Sequence, residues 1–142
     1  MKRGVSGAIS SLAGILLAGA LLTGCLGESD PEPKRISGAP KEVADVVARL
    51  ERVTRRGQFA ELCDDLFTRS ARSRAGGNDC VELLRATAKD VRDARIRLLE
   101  VKIQGTRARA RVRTVAEGQA AVEETIDLVR ERGRFRIAAL RG

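Results

Sequence analysis

Few side chains in this chain are suited to chemistry. They are cysteines at 25, 63 and 80, paired aspartates at 64 and 65, and a glutamate at 124 in phase with the apolar strand residues Ile126 and Leu128. A thiol can be alkylated, close a disulfide or ligate a soft metal. Two Cys remote from a third, in a chain with no His, do not make the usual four-ligand zinc set, so no metal is expected. The 142 residues also contain no Tyr and no Trp. Absent His removes the commonest general base, so the sequence nominates no catalytic residue and no cofactor. Asp64-Asp65 reads as a solvated helix edge, because no further oxygen ligands cluster nearby. Glu124 is the one carboxylate that the strand phase places on an inward face. It is either a pocket acid or a side chain near a hairpin end that reaches water.

The amino-terminal cysteine has the most specific setting. Met1-Lys2-Arg3 is basic, and Gly4 to Thr23 carries no charge and is built around Leu-Ala-Gly-Ile-Leu-Leu-Ala. That is the pattern of a signal-peptide apolar region. About 20 apolar residues could also span a bilayer, but this stretch is rich in Gly and Ala and only moderately hydrophobic. It ends in Leu22-Thr23-Gly24-Cys25, which resembles the lipobox of bacterial lipoproteins. The resemblance implies a diacylglycerol thioether on Cys25, removal of residues 1–24, and a domain held at the extracytoplasmic face of the cell membrane by its lipid anchor. Residues 25–40 would then be the lipidated Cys and a tether. All three prolines fall there, without periodicity, and fifteen such residues span on the order of 20 Å root-mean-square.

If lipidation consumes Cys25, an even pair remains. Cys63 and Cys80 in an exported chain are expected to form a disulfide, closing a loop of roughly 16 residues that could contribute about 3 kcal/mol. Two free buried thiols are the alternative.

The charge balance is strongly basic, with 27 Lys and Arg against 19 Asp and Glu, for a net charge of +8. Of the cations 22 are Arg, as a GC-rich genome tends to produce. Acidic residues are interspersed throughout, and the chain offers only three aromatic side chains as stacking platforms, so nucleic acid is not an expected partner. A basic domain tethered near anionic headgroups could instead lie against them, at about 1 kcal/mol per well-placed charge.

The elements that must position these residues can be read from periodicity. Apolar residues at 43, 46, 47, 50 and 53 make a helical stripe ending near Gly57. Phe59, Leu62, Cys63, Leu66 and Phe67 suggest a second helix. Thr68 to Asn78 reads as irregular around Gly76-Gly77. Asp79, with Glu82 three residues on, reads as an N-cap for a third helix that presents Val81, Leu84, Ala88 and Val91. The period then changes to two. Ile96 and Leu98 alternate with arginines, and the phase slips at Leu99, as a β-bulge would produce. Val101 and Ile103 follow, and Gly105 turns into Arg107, Arg109, Arg111 and Arg113, which alternate with Ala108, Ala110 and Val112. Beyond Gly118 come Glu123 to Glu131, and Gly133 precedes the last run. The expected fold is α+β, with three N-terminal helices packed on a bent four-stranded antiparallel sheet. A hairpin through Gly118 can set the four arginines on one face with Glu123, Asp127 and Glu131. That makes the ladder a paired, solvated face; a ligand-binding basic strip is the alternative.

Helix order, the bulged first long strand and the ending Gly-Arg-Phe-Arg-Ile-Ala-Ala-Leu together resemble the nuclear-transport-factor-2-like superfamily over residues 41–142. Cys63-Asp-Asp-Leu-Phe and Gly76-Gly77-Asn78-Asp79-Cys80 are similar to the cysteine pair of small exported actinobacterial members. The resemblance implies a cone in which the sheet curls around the helices and often encloses a pocket. Here its lining would be Ile96, Val101, Ala108, Ala110, Val112, Glu124, Ile126, Leu128, Phe135 and Ile137. The alanines at 108 and 110 either let a helix approach closely or leave an apolar void. Enzymes of the superfamily, isomerases and dehydratases among them, use Asp, His or Tyr in that pocket. With His and Tyr missing, the expected role is a non-enzymatic binding or interaction module for a small apolar ligand or an envelope protein. An isomerase- or dehydratase-type enzyme is the alternative.

Overall fold

A computed structural model describes residues 37–142; the expected signal, lipobox, Cys25 and most of the tether lie outside the described residues. The domain begins with helix α1 (Ala39–Arg56), which carries Pro40 in its first turn, where a missing N–H costs nothing. Glu42 near the N-terminus and Arg55-Arg56 near the C-terminus both favour the helix dipole. Val43, Val47, Leu50 and Val53 form the buried stripe that the sequence predicts. The helix stops at Gly57 in the left-handed region, φ 64°. The Gly57 N–H donates to the Thr54 carbonyl and the Gln58 N–H to that of Val53, at 3.2 and 2.9 Å, satisfying carbonyls that the helix end would otherwise orphan.

The segment predicted as a second helix is a composite. One α turn, α2 (Phe59–Glu61), runs into a π-helical turn over Leu62–Leu66, closed by the Phe67 N–H donating to the Leu62 carbonyl at 3.0 Å. The wider turn lets Leu62, Cys63, Leu66 and Phe67 all enter the core. The stretch read as irregular contains a further helix, α3 (Arg69–Arg74). Its cap is Thr68, whose Oγ1 accepts the Ala71 N–H at 3.0 Å. A 3-10 turn (Gly77–Asp79) then leads into α4 (Cys80–Thr87). Asp79 precedes α4 as expected but makes no capping hydrogen bond: at φ −90°, ψ 5° it belongs to the 3-10 turn and lacks the extended backbone of an N-cap. The helix ends at Thr87, so Val91 is not on its face and is exposed. The described residues therefore hold four α-helical segments, one more than the sequence suggests.

Four antiparallel strands follow in the order β1 (Arg95–Gln104), β2 (Arg107–Val115), β3 (Val122–Glu131) and β4 (Arg134–Arg141). The predicted bulge is present: Leu98 pairs with Val112 and Glu100 with Arg111, leaving Leu99 extra and exposed. A second bulge, which the alternation did not reveal, falls at Ala138, between the Asp127–Ala139 and Leu128–Ile137 pairs. Extra residues in two strands bend the sheet. The two sheet edges are finished differently. At β4, Phe67 bridges Ile137 and the Thr68 N–H donates to the Ile137 carbonyl at 2.9 Å. At β1, the Ile96 N–H donates to Glu51 Oε2 of α1 at 2.8 Å.

Candidate functional site

Cys63 and Cys80 form a disulfide with Cα atoms 6.2 Å apart. Both are buried, and the bond ties the π turn to the first residue of α4. Cys80 is the one fully buried side chain of α4, so the disulfide is the firmest attachment that helix has.

Of the expected pocket lining, the structure brings Ala108, Ala110, Val112, Ile126, Leu128, Phe135 and Ile137 together on the concave face of the sheet, with Ile96 and Val101 partly buried against them. All belong to one contiguous core with the α1 stripe of Val43, Val47, Leu50 and Val53. Ala110 is 0% exposed and Ala108 3%. The small side chains therefore serve close packing of the helical layer. Glu124 lies at the end of this face, half-buried, opposite Val112, and accepts a hydrogen bond from Thr114 Oγ1 at 3.0 Å.

A surface cleft of about 560 Å³ opens elsewhere, between the π turn, α3 and the β3–β4 hairpin. Three of its charged groups, Asp64, Arg72 and Arg136, serve one another or the backbone, while Arg69, Glu131 and Arg132 make no ion pair among the described residues. Arg72 Nη1 meets Asp64 Oδ1 at 2.8 Å. Arg136 Nη1 donates to the carbonyls of Asp64 and Phe67 at 3.0 and 3.2 Å. Asp65 accepts from Arg49 Nη2 at 3.0 Å, and Arg49 also binds Glu61; that hydrogen bond chiefly raises the guanidinium above its ordinary pKa, against an opposing effect of burial. The two aspartates thus end as partners of Arg72 and Arg49. Among the described residues no group of three or more metal-ligating side chains converges, and no helix is long and apolar enough to cross a membrane.

The convex face is the most strongly charged feature. Arg107, Arg109, Arg111 and Arg113 are all exposed and share their face with Glu123, Asp127 and Glu131, as expected. Only part of the ladder is paired. Arg109 Nε lies 3.5 Å from Asp127 Oδ1, and Arg111 lies 3.5 Å from both Glu100 and Glu123. Asp127 is shared with Arg141, and Glu100 with Lys102. Arg107 and Arg113 make no ion pair among the described residues; nor do Arg95 and Arg97 on β1. The register sets Arg97 directly opposite Arg113, and Lys102 opposite Arg109. The sequence reading foresaw the ladder's acidic partners on β3 but not these like-charge pairs. The turn at Gly105 sets Lys102 opposite Arg109, and the Leu99 bulge shifts the register so that Arg97 meets Arg113.

No family profile and no curated protein matches the chain. Solved structures do. A five-substitution variant of Rd1NTF2_05 superposes with a TM-score of 0.58 at 16% identity, over 73% of this chain and 98% of that one. An NTF2-like protein of unknown function from Shewanella baltica OS155 gives 0.53 at 10% identity, over 74% and 94%. The de novo designed NTF2 fold protein NT-9 gives 0.51 at 15% identity, over 73% and 87%. The domain has the NTF2-like fold: helices against one open, bent antiparallel sheet.

Proposed function

We propose that this chain is an exported lipoprotein, anchored through Cys25 at the extracytoplasmic face of the membrane, whose NTF2-like domain works as a non-enzymatic interaction module. One observation carries the choice of module over enzyme. The concave face, where this fold would house a reactive pocket, is filled by α1, and the one carboxylate on it, Glu124, is engaged by Thr114 at the rim. Chemistry of the acid–base kind needs convergent ionisable groups that shift one another, and this face offers a single one. The same packing favours a protein or surface partner over an apolar ligand inside the cone, because recognition must then use the exterior.

The anchor is tested by Cys25→Ser. Cells fed labelled fatty acid should incorporate the label into the parent chain and not into the variant, which should also retain residues 1–24. Equal labelling of both forms removes Cys25 as the lipid site. The module reading is tested by mass spectrometry of the chain purified from its membrane under native conditions. The expected species is polypeptide plus anchor. A stoichiometric apolar molecule bound in addition would move the function to ligand carriage.

A further inference from the structure

The convex face breaks a local rule. Cations placed directly opposite one another across strands destabilise the pair, whereas an acid at either position would contribute roughly 0.2–1 kcal/mol. The β1–β2 ladder nevertheless sets Arg97 against Arg113 and Lys102 against Arg109, with Glu100 as its only acid. Edge protection does not explain this. Charges on an edge strand blunt unwanted pairing, but glutamates on β1 would do that equally well and would also pair with the β2 arginines. Stability does not explain it either, because Arg95, Arg97, Arg107 and Arg113 find no acid among the described residues. Violations of local consistency gather where function requires them.

From this face we infer that the β1–β2 side of the sheet docks on the anionic phosphate headgroups of the membrane that carries the anchor. Phosphate suits the donors present: guanidinium presents a planar fork that binds phosphate oxygens in pairs, and it gives up its hydration more readily than an ammonium. Anionic headgroups would also relieve the repulsion between Arg97 and Arg113, whose cross-strand neighbour on the other side, Glu123, is engaged by Arg111. The inference rests on the anchor reading for proximity. Thirteen residues separate Cys25 from Ala39, so even fully extended they hold the domain within about 50 Å of the bilayer. Tethering of that kind converts a weak surface attraction into an intramolecular one.

The test uses the full chain, attached by its own anchor to supported phosphatidylcholine bilayers with or without phosphatidylglycerol, and neutron reflectometry to read the separation of the domain from the headgroups. The domain is expected to lie against the bilayer containing phosphatidylglycerol, and to withdraw at high salt and on phosphatidylcholine alone. In Arg95→Glu/Arg97→Glu the docking equilibrium constant should fall about fivefold per unit of charge, several-hundred-fold for the four units changed. Its melting temperature should be no lower than the parent's, since Arg97→Glu turns a like-charge pair into an opposite one. Arg107→Gln/Arg113→Gln, which removes two cations without an ion pair, should weaken docking in the same direction. Equal separation on the two bilayers, or docking by both variants as tight as the parent's, overturns the inference. A chain that never attaches to phosphatidylcholine refutes the anchor reading separately. In that case adsorption to phosphatidylglycerol still supports the docking face, and no adsorption overturns it.

Discussion

Thr68 shows how much one side chain can hold. It is the one buried polar residue among those described, 3% exposed, and all three of its hydrogen-bonding groups are used: Oγ1 caps α3 through the Ala71 N–H, its own N–H reaches the edge of β4 at Ile137, and its carbonyl accepts the Arg72 N–H. Thr68→Ala keeps the backbone bond and loses the cap, leaving the Ala71 N–H unsatisfied in a dry environment. The expected cost is about 1–2 kcal/mol, read as a lower urea midpoint with an unchanged slope. The sequence reading missed this cap, taking Thr68 to Asn78 as irregular. A Thr heading Arg-Ser-Ala-Arg-Ser-Arg is a helix start signal, but the segment carries a single apolar residue that becomes buried, Ala71. Periodicity, which depends on apolar residues recurring, therefore had nothing to register.

At the scale of elements, α4 is the weakly held one. Val81, Leu84 and Ala88 only partly enter the core, so the helix depends on the bond from Cys80 to Cys63. Replacing both cysteines by Ala should cost roughly 2–4 kcal/mol. Amide hydrogen exchange should rise first in Cys80–Thr87, while α1 and the sheet stay protected; uniform acceleration would mean that the bond stabilises the whole domain alike. Where the apolar pattern is strong, the sequence reading located elements well. The α1 stripe, the cap at Gly57, the Leu99 bulge and the four strands all stand where periodicity put them. Where backbone hydrogen bonding decides, it did not. The π turn differs from an α-helix by one residue per hydrogen bond, which Leu-Cys-Asp-Asp-Leu does not advertise. The Ala138 bulge hides in Ile-Ala-Ala-Leu, where small residues blur which side faces inward. The end of α4 was overrun because Val91 continues the helical spacing by coincidence.

For the whole molecule, the decisive question is whether the concave face has spare room. Ala108 and Ala110 sit where a sheet core usually carries larger residues, yet both are buried under the helical layer. Ala110→Leu should therefore overpack the core and lower stability by roughly 1–3 kcal/mol, seen as a drop in melting temperature. A variant as stable as the parent would reveal a void large enough for a leucine side chain and reopen the case for an apolar ligand. The candidate site was half legible. Inward and outward faces followed from alternation, and so did the acidic partners of the ladder on β3. The juxtaposition of Arg97 and Arg113 depended on register across a bulge, which no single strand's sequence determines.

The makeup of the convex face has a consequence for how it responds to its surroundings. Its cations are almost all arginines, and the chain has no histidine anywhere. A guanidinium keeps its proton throughout the range in which living systems operate, whereas an imidazole would discharge within it. The positive potential of this face is therefore carried without any imidazole. What modulates it is the electrolyte: at physiological ionic strength the screening length is only about 8 Å. Ionic strength is therefore the variable to which this surface responds most directly.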